Sequence, residues 1–236
     1  MTSGEEVEAL RHAHGRVVER IGDACARAGR DPATVTLVAV SKTVPVERLR
    51  HAVEAGLGVF GENRVQEALA KIPEVPAAAW HLIGPLQSNK ARRALEAFEL
   101  IQTVDSVALA TRLDRLAGEL GVERAPVLLQ VNVDLDAAKA GFRPDDLAGA
   151  VAELAGMGRL AVRGLMTIGR EVARPEEARR TFAGLRELSG SLREMWSGLG
   201  PELSMGMSDD FAIAIEEGAT IVRVGRALFG ERPHQH

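Results

Sequence analysis

One pattern constrains this chain more than any other: short β-rich runs alternate with longer amphipathic helical patterns, and the alternation recurs until eight runs have been laid down. The runs fall at 36–42, 58–62, 80–84, 100–104, 126–132, 160–168, 202–206 and 221–225. Helical patterns occupy 46–55, 64–71, 89–98, 106–120, 144–157, 175–196 and 209–217 between them. Strict β, α, β, α order calls for parallel pairing with right-handed crossovers, and eight units is the number that closes such a sheet on itself. The expectation is therefore an α/β fold, a single (β/α)8 TIM barrel over residues 1–236, with 6–27 as an extra N-terminal helix packed on it. Turn chemistry agrees: Asp105-Ser106 and Ser208-Asp209 start helices, and Gly56, Gly121 and Gly218 end them. An open doubly wound sheet is the alternative arrangement of the same alternation.

With 236 residues and 46% hydrophobic content the chain buries a sizeable core, and no linker or low-complexity tract interrupts it. A net charge of −4 provides no basic footprint, which argues against nucleic acid as a main partner. Cys25 is the single cysteine, so no intrachain disulfide forms, a reducing compartment fits, and its expected role is helix packing. The polar, acidic Met1 to Glu6 segment lacks the charged lead and apolar stretch of a signal peptide. No stretch reaches the ~18 consecutive apolar residues of a membrane span. These features predict a cytoplasmic protein that contacts no membrane, and one barrel of this size suits a monomer.

A barrel of this kind does its chemistry where strands end and βα loops begin. The polar residues there are Ser41-Lys42, Glu62-Asn63, His81, Gly84 with Gln87-Ser88-Asn89, Asp105, Asn132, Met166-Thr167, the run Ser204 to Ser208, and Arg223 to Arg226. Lys42 closes the apolar run Thr36-Leu37-Val38-Ala39-Val40-Ser41, and a lysine at the edge of an apolar core is the kind of amine that forms Schiff bases with carbonyl compounds. Snorkeling into solvent is the ordinary alternative for such a side chain. Runs seven and eight end in Ser204-Met205-Gly206-Met207-Ser208 and Val224-Gly225-Arg226, polar and glycine-bearing loops at the usual phosphate position of a barrel. Closure makes strand eight the neighbour of strand one. A lysine facing a phosphate site suits pyridoxal 5′-phosphate, which carries an aldehyde and a phosphate on one ring. Arg223, on the same pleat face as Gly225, would approach the pyridine nitrogen, and a cation there makes the ring a weaker electron sink than a carboxylate would.

Six segments resemble, in order, the pyridoxal phosphate homeostasis proteins, which are similar to the alanine racemase N-terminal domain. They are Leu37 to Thr43, Phe60-Gly61-Glu62-Asn63-Arg64-Val65-Gln66-Glu67, Trp80-His81-Leu82-Ile83-Gly84-Pro85-Leu86-Gln87-Ser88-Asn89-Lys90, Gly164-Leu165-Met166-Thr167-Ile168, Leu203 to Asp209, and Val222-Arg223-Val224-Gly225. The resemblance covers nearly the whole chain. It implies a fold-type III barrel in which Lys42 holds pyridoxal phosphate as a Schiff base. It also implies that Ser208, in the loop that starts at the cofactor-binding candidate Ser204, and the backbone of Gly225 and Arg226 after run eight bind the phosphate. Arg223 would then face the ring nitrogen, with Asn63, His81 and Met166 near the ring. Two positions depart from the family pattern. Arg64 stands where many relatives have a tyrosine, and Arg226 where many have a threonine, so Arg226 either substitutes with its charge or points outward.

The resemblance raises a choice between enzyme and carrier. Racemases of this fold pair the lysine with a tyrosine on the other face of the cofactor, from a region that includes a second domain. This chain has no tyrosine. The expectation is a non-catalytic carrier that buffers pyridoxal phosphate and delivers it to apo-enzymes, with an amino-acid racemase or lyase as the alternative. Glu62 would orient a neighbour or move a proton, and Lys139 to Phe142 would form an ordered loop near the barrel mouth. His234-Gln235-His236 is too short to read as a metal site.

Overall fold

The computed structural model describes residues 2–230 and shows eight parallel strands closed in sequence order, β1 to β8, with β8 paired back onto β1. The strands are β1 Thr36–Val40, β2 Val59–Glu62, β3 Ala79–Leu82, β4 Leu100–Val104, β5 Ala125–Gln130, β6 Leu160–Met166, β7 Glu202–Ser204 and β8 Ile221–Val224. Around them run α1 Ser3–Arg27, α2 Val46–Glu54, α3 Val65–Lys71, α4 Ala91–Ala97, α5 Val107–Leu120, α6 Pro144–Ala155, α7 Arg179–Met195, α8 Phe211–Glu216 and α9 Arg226–Phe229. The closed sheet excludes the doubly wound alternative. His234 to His236 lie outside the described residues.

Several strands are shorter than their apolar runs. The first run ends as a strand at Val40, and its last residues turn: Val44 N donates to Ser41 O at 2.9 Å and Thr43 takes a left-handed φ of 66°. The physical reason is parallel pairing, which holds a residue only while a neighbouring strand runs beside it. Beyond that point the backbone is free to form the loops that carry polar groups.

The extra helix forms as its sequence predicts. Thr2 and Glu5 make a reciprocal capping box, and Val7, Leu10, Ala13, Val17, Ile21 and Ala24 recur every three or four residues as one buried stripe. That stripe lies on α2, α8 and α9, so α1 covers the outside of the β8–β1 seam. Cys25 is buried in the same face, as expected of a packing residue.

Most apolar burial lies between the strands and the helices, where Phe60 and Trp80 meet with ring centroids 5.3 Å apart. Inside the barrel the apolar content is small: Val38, Leu100, Leu128, Met166 and Ile221 form the only separate cluster there among the described residues. The rest of the interior is polar: His81, Gln102, Gln130, Ser204 and Arg223 alternate with the outward apolar residues of their strands, and all are buried. Buried polar groups cost stability unless hydrogen-bonded, so their partners define what the interior is for.

Candidate functional site

Lys42 sits half-buried at the C-terminal mouth, on the turn that follows β1. That turn is held by its backbone. Lys71, at the end of α3, donates from Nζ to Ser41 O at 2.8 Å, to Glu62 Oε1 at 2.8 Å and to Glu67 Oε1 at 2.6 Å. Glu67 Oε1 in turn accepts the Thr43 N–H at 2.6 Å, and Glu62 Oε1 accepts the Ser41 hydroxyl at 2.7 Å. The residues on both sides of Lys42 are therefore clamped by one buried ion cluster. A left-handed threonine persists only when its surroundings over-determine it, and this cluster does so.

Burial pushes the Glu62 carboxyl up, against the hydrogen bonds from Lys71 and Ser41. Burial works the same way on Glu67, but the Lys71 ammonium and the Thr43 N–H hold it below the usual range. Glu62 thus orients the Lys42 turn, one of the two roles its sequence position allowed. Glu67 and Lys71 were not anticipated; the only trace of them in sequence is their four-residue spacing on one helix face.

Across the β8–β1 seam, Arg223 is buried in the barrel and donates to Ser204 Oγ at 2.5 Å and Thr167 O at 2.8 Å. Burial lowers its guanidinium to about 10, with Asp210 opposing. Two of five donors are engaged by these neutral acceptors, and among the described residues no carboxylate contacts the group directly. It is a cation whose charge is incompletely compensated.

The loop after β7 and the start of α9 meet here. Ser208 is buried, and its Oγ accepts the Gly225 N–H at 3.2 Å. Gly206 has a φ of 88°, and a Cβ there would lie 2.5 Å from Ala214 Cβ, so only glycine lets this loop fold back onto α8. Arg226 points outward and pairs with exposed Asp209, which leaves its backbone alone at the mouth.

Asn63 follows β2 on the same mouth, and its buried Oδ1 has no hydrogen-bond partner among the described residues. Gly84 packs against it: a Cβ at 84 would meet Asn63 O at 2.3 Å. Arg64 is exposed and, with Asn63, Gln87 and Lys90, lines a cavity of about 510 Å³. The loop after β5 is ordered as expected: Asn132 Nδ2 donates to Asp136 O and Lys139 O, and Lys139 Nζ donates to Gly169 O at 2.7 Å.

Two expected site residues lie deeper. Met166 is fully buried and packs with Val38, Leu100, Leu128 and Ile221 in the barrel interior. His81 lines a different cavity, of about 780 Å³, bounded by strand beginnings such as Thr36, Val59, Ala79 and Leu100 at the N-terminal mouth. Its Nδ1 meets Gln102 Nε2 at 2.9 Å, and Gln102 Oε1 accepts from Ser204 Oγ at 2.6 Å. His81 is thus linked toward the C-terminal mouth through Gln102, Ser204 and Arg223.

The comparisons bear on the fold and the family. The family model described as "Alanine racemase, N-terminal domain" matches residues 22–233. A Pseudomonas aeruginosa protein named pyridoxal phosphate homeostasis protein is 46% identical, over 93% of this chain and 94% of its own length. One of the same name from Aquifex aeolicus is 42% identical, over 93% and 96%. The structure of PipY from Synechococcus elongatus with PLP bound superposes with a TM-score of 0.80 at 44% identity, covering 91% of this chain and 100% of PipY. Alanine racemase of Clostridium difficile, at 17% identity and a TM-score of 0.74, shares the fold over 96% of this chain and 57% of its own. With a family model across most of its length and relatives this similar from end to end, the chain belongs to the pyridoxal phosphate homeostasis proteins, built on the alanine racemase N-terminal domain.

Proposed function

We propose that residues 1–236 act as one pyridoxal phosphate-binding unit that holds the cofactor reversibly through Lys42 and serves its homeostasis. When bound, the cofactor contributes an aldehyde carbon that a primary amine captures reversibly, together with an aromatic nitrogen and a phosphate. The residues present fit those three features. Lys42 supplies the amine on its clamped turn, and Arg223 supplies unengaged N–H donors for the ring nitrogen. Ser208, with the Gly225 and Arg226 backbone, receives the phosphate, and the orphaned Asn63 Oδ1 offers an acceptor at the same mouth. PipY, similar to this chain over nearly its whole length, has been solved with PLP bound. The observation that carries the reading is the juxtaposition, across the β8–β1 seam, of a clamped lysine turn and an incompletely compensated arginine.

Each residue has a physical task. The cluster of Lys71, Glu62 and Glu67 fixes where the Lys42 backbone stands, which favours capture by pre-organisation. Arg223 disfavours a proton on the ring nitrogen, which weakens the ring as an electron sink and suits holding over turnover. The chain's lack of tyrosine supports the same conclusion. In this reading the protein acts as a monomer in the cytoplasm and passes the cofactor to apo-enzymes. Among the described residues no helix is long and apolar enough to cross a membrane.

The test is spectroscopic. Purified protein given pyridoxal phosphate is expected to absorb near the visible edge, to lose that band on borohydride reduction, and to show no band once Lys42→Ala is introduced. A protein that stays colourless would overturn the reading. Exchange of α-deuterium from an amino-acid panel at enzyme-like rates would establish the racemase or lyase alternative instead.

A further inference from the structure

Arginine has five N–H donors and no acceptor, so every group it meets must accept. At Arg223 Nη1 that group is Ser204 Oγ. Having accepted there, the Ser204 hydroxyl directs its own proton to Gln102 Oε1. Gln102 in this orientation turns its NH2 toward His81 Nδ1. A donor at that nitrogen makes Nδ1 the acceptor and puts the single ring proton on Nε2. The chain crosses the barrel from β8 through β7 and β4 to β3, and every member is buried. Its polarity runs one way because its source cannot accept.

The reverse arrangement is worse. Turning Gln102 over would bring its NH2 to Ser204, whose hydroxyl would then accept from two donors and leave its own proton unpaired in the interior. It would also require His81 to carry its proton on Nδ1. The two arrangements therefore differ in one observable, the tautomer of His81. Burial holds His81 down at about 4, consistent with a neutral ring. Glu99, Arg163 and Glu202 share its cavity, with Arg163 and Glu202 paired to each other.

We propose that Gln102 is a positioning residue: with Ser204 it carries the donor polarity of Arg223 across the barrel, fixing the guanidinium at the C-terminal mouth and the Nε2–H tautomer of His81. The mouth-facing half of this proposal rests on the reading that Arg223 meets the cofactor ring. The tautomer half does not.

Nitrogen NMR of the His81 imidazole in cofactor-free protein, with the signal assigned by its loss in His81→Gln, is expected to show Nε2–H and a titration midpoint far below 6.5. An Nδ1–H tautomer would overturn the proposal. In Gln102→Glu the carboxylate accepts from both Ser204 and His81, so the midpoint is expected to rise by at least about one pH unit, a tenfold gain in proton affinity. An unmoved midpoint would equally overturn it. With pyridoxal phosphate added, the absorbance of Gln102→Glu should acquire a pH transition at the His81 midpoint that the wild type lacks; identical profiles would overturn the mouth-facing half. Wild-type protein that takes up no cofactor defeats the binding reading and leaves the tautomer result standing. The wild-type tautomer remains decisive if Gln102→Glu does not fold.

Discussion

Two cations are buried near the C-terminal mouth of this barrel, and they are solvated in opposite ways. Lys71 is met by two carboxylates and a carbonyl, so its charge is neutralised inside the protein. Arg223 is met by a hydroxyl and a carbonyl, with Asp210 acting on it only through space. A paired buried charge is finished and serves structure; an under-paired one keeps an electrostatic demand that a bound partner can meet. The difference gives Lys71 the task of holding the fold at the Lys42 turn and leaves Arg223 for the recognition role that the proposed function gives it.

The largest effect that would break this contrast concerns the clamp. Lys71→Met strands the buried Glu62 carboxyl and the half-buried Glu67 carboxylate and is expected to cost about 3–5 kcal/mol in urea unfolding. A loss below about 1 kcal/mol would mean that the cluster is not structural. The next test lies on the Arg223 side, at the far end of its relay. His81 has its folded-state pKa depressed from 6.5 to about 4, so between those values the unfolded chain binds more protons. Stability is therefore expected to fall as pH drops through that window, by about 1.4 kcal/mol per pH unit at most, and His81→Asn should flatten the slope.

Arg223→Met sharpens the comparison directly. No carboxylate is left unpaired at contact distance, so the fold is expected to lose only about 1–2 kcal/mol, while pyridoxal phosphate retention drops by roughly tenfold or more. Equal destabilisation by Lys71→Met and Arg223→Met would erase the distinction. The smallest effect belongs to Glu62→Gln, where Lys71 keeps Glu67 and the Ser41 carbonyl, and the cost should stay under about 1 kcal/mol. Glu62 is raised by burial, so it contributes stability below its ordinary value of 4.5 that is lost as pH rises through the folded-state value. The glutamine variant should lack that decline, read from unfolding midpoints across the acid range.

The alternation of runs and helices made the barrel legible because each strand and its crossover are contiguous in sequence. That the segments carrying Lys42, Arg223 and Ser208 lie side by side was legible because strand order alone brings β1, β7 and β8 together. Gln102 was not: its partners His81 and Ser204 lie on β3 and β7, and Ser204 stands 102 residues away, so no local pattern marks the chain. Which cavity His81 lines was not legible either, since its strand leads to one mouth while its side chain lines the cavity at the other. Arg226 had two orientations open to it in sequence, and its ion pair with Asp209 selects the outward one.

Gly84 bears on how this protein would answer selection. Its carbonyl is pinned from below by the Thr103 hydroxyl at 2.8 Å, while a side chain at 84 would collide with Asn63. The loop after β3 cannot retreat, so the strain of any substitution falls on Asn63 at the mouth. A library sorted first for folded protein and then for colour with pyridoxal phosphate should therefore be rich in changes at 84 among clones that pass the first sort and fail the second. Position 84 would behave genetically as part of the site, with no chemistry of its own to offer.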